Sequence, residues 1–92
     1  MPIYVAVPRN QPAREAIASK IQEVFPGNNL LMDSGDWLLS GTGTANEVAT
    51  RLGILADGGP SVIIFTMTTY SGRAPTTVWE WLKLKMEGQP GG

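Results

Sequence analysis

Residues 61–86 read SVIIFTMTTYSGRAPTTVWEWLKLKM and join an apolar run, a polar loop and a tryptophan-rich segment. The apolar residues Val62–Phe65 and the threonines that follow them predict a strand from Ser61 to Thr69. Because the four apolar residues are consecutive rather than alternating, we expect this strand to be buried on both faces, near the centre of a sheet. Further on, Thr77 followed three residues later by glutamate forms a capping-box pattern, which predicts a helix over about Val78–Glu87.

The composition of the 92 residues limits both the architecture and the chemistry. The length predicts one domain over residues 1–87, followed by a flexible tail over residues 88–92. The chain has no cysteine and no histidine, which excludes disulfides, thiolate catalysis and serine–histidine catalysis within one chain. We predict no cofactor and no metal site: Asp33 and Asp36 lie close in sequence, but no third ligand is evident.

Charge and hydropathy indicate where the chain acts. The net charge of −1 disfavours nucleic acid and anionic membranes as partners. The sequence contains neither a leader-like N-terminus nor an apolar run of about 20 residues, so we expect a cytoplasmic protein with no membrane partner.

The N-terminal quarter predicts a strand followed by an amphipathic helix. Ile3–Val7 is a β-branched run bounded by prolines, which is typical of a buried strand. Pro12–Phe25 has apolar residues at intervals of three and four, which predicts one buried helix face. Either Asn10 or Gln11 would cap this helix, and asparagine is the better capping residue.

The middle of the chain predicts a β-hairpin. Leu30–Asp33 and Asp36–Gly41 read as strands on either side of a short Ser-Gly turn. The two-residue period of a strand places Trp37 and Leu39 on one face and Leu38 on the other.

A short second helix follows this hairpin. Thr44 and Glu47 form a capping-box pattern, and Gly53 stands where a left-handed C-terminal residue is expected. Residues 40–44, SGTGT, join the preceding strand to this helix and look superficially like a phosphate-binding loop, but they lack its lysine and its glycine spacing. We therefore expect these glycines to form a turn into the capped helix.

The order of elements predicts an α/β (α+β) sandwich with a ferredoxin-like β-α-β-β-α-β pattern and an extra C-terminal helix. Right-handed crossovers give a four-stranded antiparallel sheet with the first and third strands inside and the two main helices on one face. The strand over residues 61–69 then lies at an edge, in conflict with its apolar character. The conflict disappears if its outer edge pairs with another chain or if the last helix covers it.

The polar loop before the last helix is the candidate binding site. Tyr70, Ser71, Arg73, Thr76 and Thr77 concentrate hydrogen-bond donors at a helix N-terminus, where an anion is stabilised and the arginine would contact a phosphate or carboxylate. The alternative is a tight loop with capping threonines and an exposed arginine.

The last helix is apolar on several faces, which is unusual for a surface helix. One face would dock on the sheet and another would contact a second subunit, and tryptophan is favoured at such contacts. The charged fraction of 16% also favours an oligomer, with a dimer preferred. The predicted interface residues are Trp79, Trp81, Leu84 and Lys85.

Two stretches resemble known proteins. Residues 31–39, LMDSGDWLL, resemble the second hairpin of small bacterial ferredoxin-like proteins, which are distantly related to the CRISPR-associated adaptation protein and to toxin-like endoribonucleases. Residues 72–81, GRAPTTVWEW, resemble a segment of small uncharacterised bacterial proteins. The resemblance implies a bacterial, ferredoxin-like dimer. The nuclease branch carries an aspartate at the end of the first strand, where this sequence has Val7, Pro8 and Arg9, and this difference argues against nuclease activity.

These observations predict a non-catalytic, homo-oligomeric binding or interaction module with no catalytic residue. Its partner would be a small anionic ligand or a protein. The alternative is a nucleic-acid-processing protein or another enzyme whose site is completed at the subunit interface, with Arg73 binding an anion and Asp33 or Asp36 acting as acid, base or metal ligand.

Overall fold

The protein has an α+β fold, and the part of the chain that the structure describes contains a four-stranded antiparallel sheet and three helices. The computed structural model describes residues 2–68, 72–73 and 75–87, and the predicted tail over residues 88–92 lies outside them. In chain order the elements are β1 (Ile3–Pro8), α1 (Gln11–Val24), β2 (Asn29–Leu31), β3 (Trp37–Ser40), α2 (Ala45–Arg51), β4 (Val62–Met67) and α3 (Thr76–Glu87).

The strands are arranged in the order β2-β3-β1-β4, and each neighbouring pair is antiparallel. This order places β1 and β3 inside the sheet and β2 and β4 at its edges, which is the arrangement expected from the sequence. Ile3 lies opposite Ser40 of β3 on one side and Met67 of β4 on the other. The two edges differ in length, because β2 has three residues and β4 has six.

Helices cover both faces of the sheet. On one face, α1 and α2 enclose the larger core, and the alternation along the strands brings Tyr4, Leu39 and Val62 into it. On the other face, Val78 and Leu82 of α3 form a second cluster with two buried sheet residues, Ile3 and Leu38. The predicted division of the β3 side chains between the two faces is confirmed.

Local sequence signals explain the ends of the first two helices. Asn10 accepts a hydrogen bond from the backbone N–H of Ala13 at 2.8 Å and caps α1. Thr44 and Glu47 form the predicted capping box at the start of α2. At the other end of α2, Gly53 has φ of +75° and Ile54 donates its N–H to the carbonyl of Ala49 at 3.0 Å, as in a Schellman motif.

Two sequence expectations for the C-terminal part of the chain are wrong in detail. The helix α3 begins at Thr76, so Thr77 lies inside the first turn and is not the residue before the helix. The strand β4 is not buried on both faces, because Ile63 is 40% exposed and Phe65 is 53% exposed. The physical reason is that β4 is an edge strand and its outer-face side chains lie beyond the cluster that α3 forms, which includes only Met67 from β4.

A hydrogen-bonded contact fixes the end of α3 that lies far from β4. The ammonium group of Lys85 donates to the carbonyl oxygen of Gly27 at 3.2 Å and to the side-chain oxygen of Asn28 at 2.9 Å. These residues connect α1 to β2, so α3 ends beside the β2 side of the sheet. No helix in the described ranges is both long and apolar enough to span a bilayer.

Candidate interaction surface on the fourth strand

The predicted anion site is only partly within the described residues. Arg73 is exposed, and Thr76 and Thr77 are exposed residues in the first turn of α3. The turn is closed by the backbone N–H of Val78, which donates to the carbonyl of Pro75 at 2.9 Å. The remaining two predicted residues, Tyr70 and Ser71, lie outside the described residues, so binding by this loop stays a prediction.

The outer face of β4 carries large apolar side chains in contact with solvent. Ile63 and Phe65 alternate with Val62 and Ile64, which pack in the larger core. Leu55, in the turn after α2, is 58% exposed and lies beside the same strand in a shared groove. Exposed apolar side chains that adjoin one another in this way are typical of protein-contact surfaces.

The backbone of β4 also has an open edge. The N–H of Arg9 donates to the carbonyl of Ser61 at 2.9 Å, so these two residues form a hydrogen-bonded pair of the β1–β4 ladder. Hydrogen-bonded pairs recur at every second residue of an antiparallel ladder, so the residues of β4 that bond to β1 are Ile63, Phe65 and Met67. The backbone groups of Val62, Ile64 and Thr66 therefore point away from β1, and no described strand pairs with them.

A groove runs beside this edge between α2 and β4. Its cavity volume is about 310 Å³, and it is lined by Ala45, Asn46, Ala49, Ile54 and Leu55 together with the first half of β4. None of the lining side chains carries a charge. The groove therefore extends the apolar surface of β4 toward α2, on the face of the sheet that α1 and α2 cover. We use the name β4 surface for Leu55, Ile63 and Phe65 and the open edge formed by Val62, Ile64 and Thr66.

The other exposed edge of the sheet differs from β4. The strand β2 is only three residues long, and very short edge strands are a common protection against pairing with other chains. Charged residues and prolines protect edges as well, but β4 contains neither over Val62–Met67. The long, uncharged edge of β4 is thus the one suited to accept another strand.

A second cavity, of about 390 Å³, lies between the start of α1 and residues 58–61. Asn10 and Ser61 are among the residues that line it, and none of its lining side chains is ionisable. It therefore offers no acid, base or cation for catalysis among the described residues.

The four predicted interface residues on α3 differ in their exposure to solvent. Trp79 and Trp81 are half-buried and pack against the cluster beneath α3, and Lys85 is hydrogen-bonded within the chain. Leu84 is 67% exposed. Leu84 is thus the predicted residue most open to a partner, and the interface role of all four stays a prediction.

The glycine-containing loop before α2 is held by polar contacts. The hydroxyl of Tyr4 donates to the carbonyl of Gly43, and the guanidinium of Arg51 donates to the carbonyl of Thr42. Burial raises the pKa of the Tyr4 phenol, an effect opposed by Arg51 and reinforced by Glu47. These contacts agree with the expected turn into a capped helix.

The carboxylate of Glu47 is part of the same loop structure. The backbone N–H of Thr44 donates to it at 3.0 Å, and hydrogen bonds from Thr44 lower the pKa of Glu47. The carboxylate is therefore used for capping α2.

Comparisons with protein families and with curated proteins add no family or relative. No protein-family model matches the chain, and no curated protein matches it significantly. The candidate surface is therefore defined by its geometry.

The sequence signal for the β4 surface is the apolar run itself, which does not distinguish a central strand from an edge strand. Ile63 and Phe65 belong to the consecutive apolar run that predicted burial on both faces. The same run is compatible with an edge strand that packs Val62 and Ile64 against the core and exposes the alternate residues. Leu55 had no distinguishing signal, because an isolated leucine in a turn is common.

Proposed function

We propose that the protein is a non-catalytic, homo-oligomeric interaction module that assembles through the β4 surface. The observation that supports this proposal is an uncharged edge strand whose exposed face carries Ile63 and Phe65. The proposal keeps the bacterial cytoplasm as the place of action, as expected from the sequence and from the resemblance described above. A small anionic ligand held by the Arg73 loop is a further part of the sequence-based proposal.

The proposal includes the fold class. We assign the β-α-β-β-α-β part to the ferredoxin-like class, with α3 added on the opposite face. The antiparallel order β2-β3-β1-β4 and the shared core of α1 and α2 support this assignment.

The energetics favour a weak, concentration-dependent assembly. Fully burying a leucine, isoleucine or phenylalanine side chain stabilises by about 1.5–3 kcal/mol, and the three apolar residues of the β4 surface are each about half exposed. Their burial would therefore contribute about 1 kcal/mol each, and added main-chain hydrogen bonds would contribute about 1 kcal/mol each. Because association also has an entropic cost, we expect dissociation constants on the order of micromolar.

Sedimentation velocity and light scattering over about 5–500 µM protein test the proposal, since this range spans micromolar dissociation constants. We expect the mean mass to rise from monomer to dimer. Phe65→Lys should shift the transition to at least tenfold higher concentration, because it removes the apolar contact of Phe65 and places a charge of the same sign on each copy at the contact. Leu31→Lys is the matched control, since Leu31 is 54% exposed on the other edge strand.

The outcomes separate the two predicted contact regions. Leu84→Lys changes the most exposed of the predicted α3 interface residues. Loss of the dimer in Leu84→Lys, with an unchanged dimer in Phe65→Lys, would move the contact to α3 and contradict the β4 surface. A wild-type protein that stays monomeric over the whole range would overturn the proposed oligomer. Circular dichroism confirms in each case that the variant is folded.

A further inference from the structure

The open edge of β4 specifies a geometry as well as a contact. This step rests on the proposed function and concerns the occupant of the β4 surface. Backbone groups of Val62, Ile64 and Thr66 are available at intervals of two residues. Such a row of donors and acceptors forms main-chain hydrogen bonds with any added extended strand.

The chemistry of the edge fits a second copy of the same strand. Residues 61–72 contain no charged side chain, so two copies approach each other without like-charge repulsion. The groove beside the edge is uncharged as well, so it is compatible with the apolar side chains of another β4. We infer that two molecules join their β4 strands antiparallel about a two-fold axis at Ile64, so that two four-stranded sheets become one continuous sheet of eight strands.

This register engages the whole open edge. With Ile64 opposite Ile64, Val62 lies opposite Thr66 in both directions. All three residues whose backbone groups point away from β1 then form hydrogen-bonded pairs in each copy. The intervening pairs place Ile63 of one copy opposite Phe65 of the other, twice, on the exposed face. An aromatic residue opposite a β-branched residue is a stabilising cross-strand pair.

Neighbouring registers form fewer hydrogen bonds. An axis at Val62 would place Ile64 opposite Pro60, which has no N–H to donate. An axis at Phe65 would form only two hydrogen-bonded pairs between the open edges of the two β4 strands, Ile64 with Thr66 in both directions. The axis at Ile64 is therefore the symmetric arrangement in which β4 has the most main-chain pairs.

Disulfide formation between single-cysteine variants tests the register, because the chain has no cysteine of its own. In the inferred register, residues 63 and 65 of different copies are directly opposed, with Cα atoms about 4.5 Å apart, which suits a disulfide. Two residues 63, or two residues 65, are diagonal neighbours about 7–8 Å apart, which is too far. We therefore expect an equimolar mixture of Ile63→Cys and Phe65→Cys, one carrying a tag, to form the mixed disulfide about tenfold faster than either forms its own.

Each result of this experiment has a defined meaning. Faster Ile63→Cys self-linkage indicates an axis at Ile63, and faster Phe65→Cys self-linkage indicates an axis at Phe65; either overturns the inferred register while the oligomer stands. Rates no higher than that of Leu31→Cys, the control for random collisions, overturn the β4 pairing in a protein that sedimentation shows to be dimeric. If the protein sediments as a monomer at every concentration, the proposed function itself is wrong.

Amide hydrogen exchange on the wild-type protein gives a second measurement that needs no substitution. The amides of Val62, Ile64 and Thr66 should exchange rapidly at low concentration and become protected as the dimer forms. The amides of Ile63 and Phe65 already bond to β1 and serve as internal controls. Unchanged exchange of the three outward amides in the dimer would contradict the pairing.

Discussion

Tyr4 donates its hydroxyl hydrogen bond to the carbonyl oxygen of Gly43, a residue 39 positions further along the chain. Tyr4 is fully buried in β1, and Gly43 lies in the loop that leads into α2. The bond therefore connects the central strand of the sheet to the start of the second helix. It also satisfies the one polar group of an otherwise apolar buried side chain.

Replacing Tyr4 with phenylalanine should lower the stability of the fold. The change removes the hydroxyl, keeps the ring in the core and leaves the Gly43 carbonyl without its donor. We expect the free energy of unfolding to fall by about 1 kcal/mol, as is typical of one lost hydrogen bond. Urea denaturation followed by tryptophan fluorescence measures the change.

Ser40→Ala is the matched control for this loss of a hydroxyl. Ser40 is buried, and its side-chain oxygen has no hydrogen-bond partner among the described residues. Removing an unsatisfied buried hydroxyl should leave stability unchanged or raise it by up to about 1 kcal/mol. If both variants are destabilised equally, the cost belongs to packing, and the role given to the Tyr4 hydrogen bond is wrong.

The contribution of Tyr4 to the stability of the fold should decrease at alkaline pH. Burial raises the pKa of its phenol above the ordinary value of 10.0. A group whose pKa is higher in the folded state stabilises the fold fully below the unfolded-state pKa, and this contribution is lost as pH rises through the folded-state pKa. The stability difference between wild type and Tyr4→Phe should therefore be constant up to about pH 9 and shrink above pH 10. Urea titrations of both proteins from pH 7 to 11 measure it, and a difference that persists unchanged to pH 11 would contradict the assignment.

Gly59→Ala should destabilise the turn between α2 and β4. A Cβ atom at this position would lie 2.6 Å from the carbonyl oxygens of Gly53 and Ile54, and backbone atoms cannot rotate away as a side chain can. We expect a loss of about 1–3 kcal/mol, the usual cost of overpacking, measured by thermal and urea denaturation. The neighbouring exposed Ser61→Ala is the control and should change stability by less than about 0.5 kcal/mol.

Lys85→Met should distinguish a docking role from an interface role. The change keeps an unbranched side chain but removes the hydrogen bonds to Gly27 and Asn28 that hold the end of α3. We expect a stability loss of about 0.5–1 kcal/mol with no change in the monomer–dimer equilibrium. Lys83→Met, at an exposed position of the same helix, is the control. A weaker dimer at unchanged stability would instead support the sequence-based assignment of Lys85 to the interface.

Local patterns were sufficient to predict most elements and their ends. The Asn10 cap of α1, the capping box at Thr44 and the left-handed Gly53 each depend on residues within one helical turn, so the sequence contains the whole signal. The alternation that divides Trp37 and Leu39 from Leu38 is equally local. The start of α3 at Thr76 differs by two residues from the prediction, because Thr77 and Glu80 fit a capping box whose geometry the helix does not adopt.

The sequence by itself thus determined which segments are strands and helices, which of their faces are apolar, and which chemistries are absent from the chain. Only the tertiary structure decided that α3 docks toward β2, that Lys85 bonds to Asn28, and that Ile63 and Phe65 stay exposed on the outer strand. The physical reason is that an apolar run has the same composition whether both of its faces are covered or one is open. Its exposure depends on where α3, more than ten residues further along the chain, packs on the sheet. That position is determined by side-chain packing across the whole sheet.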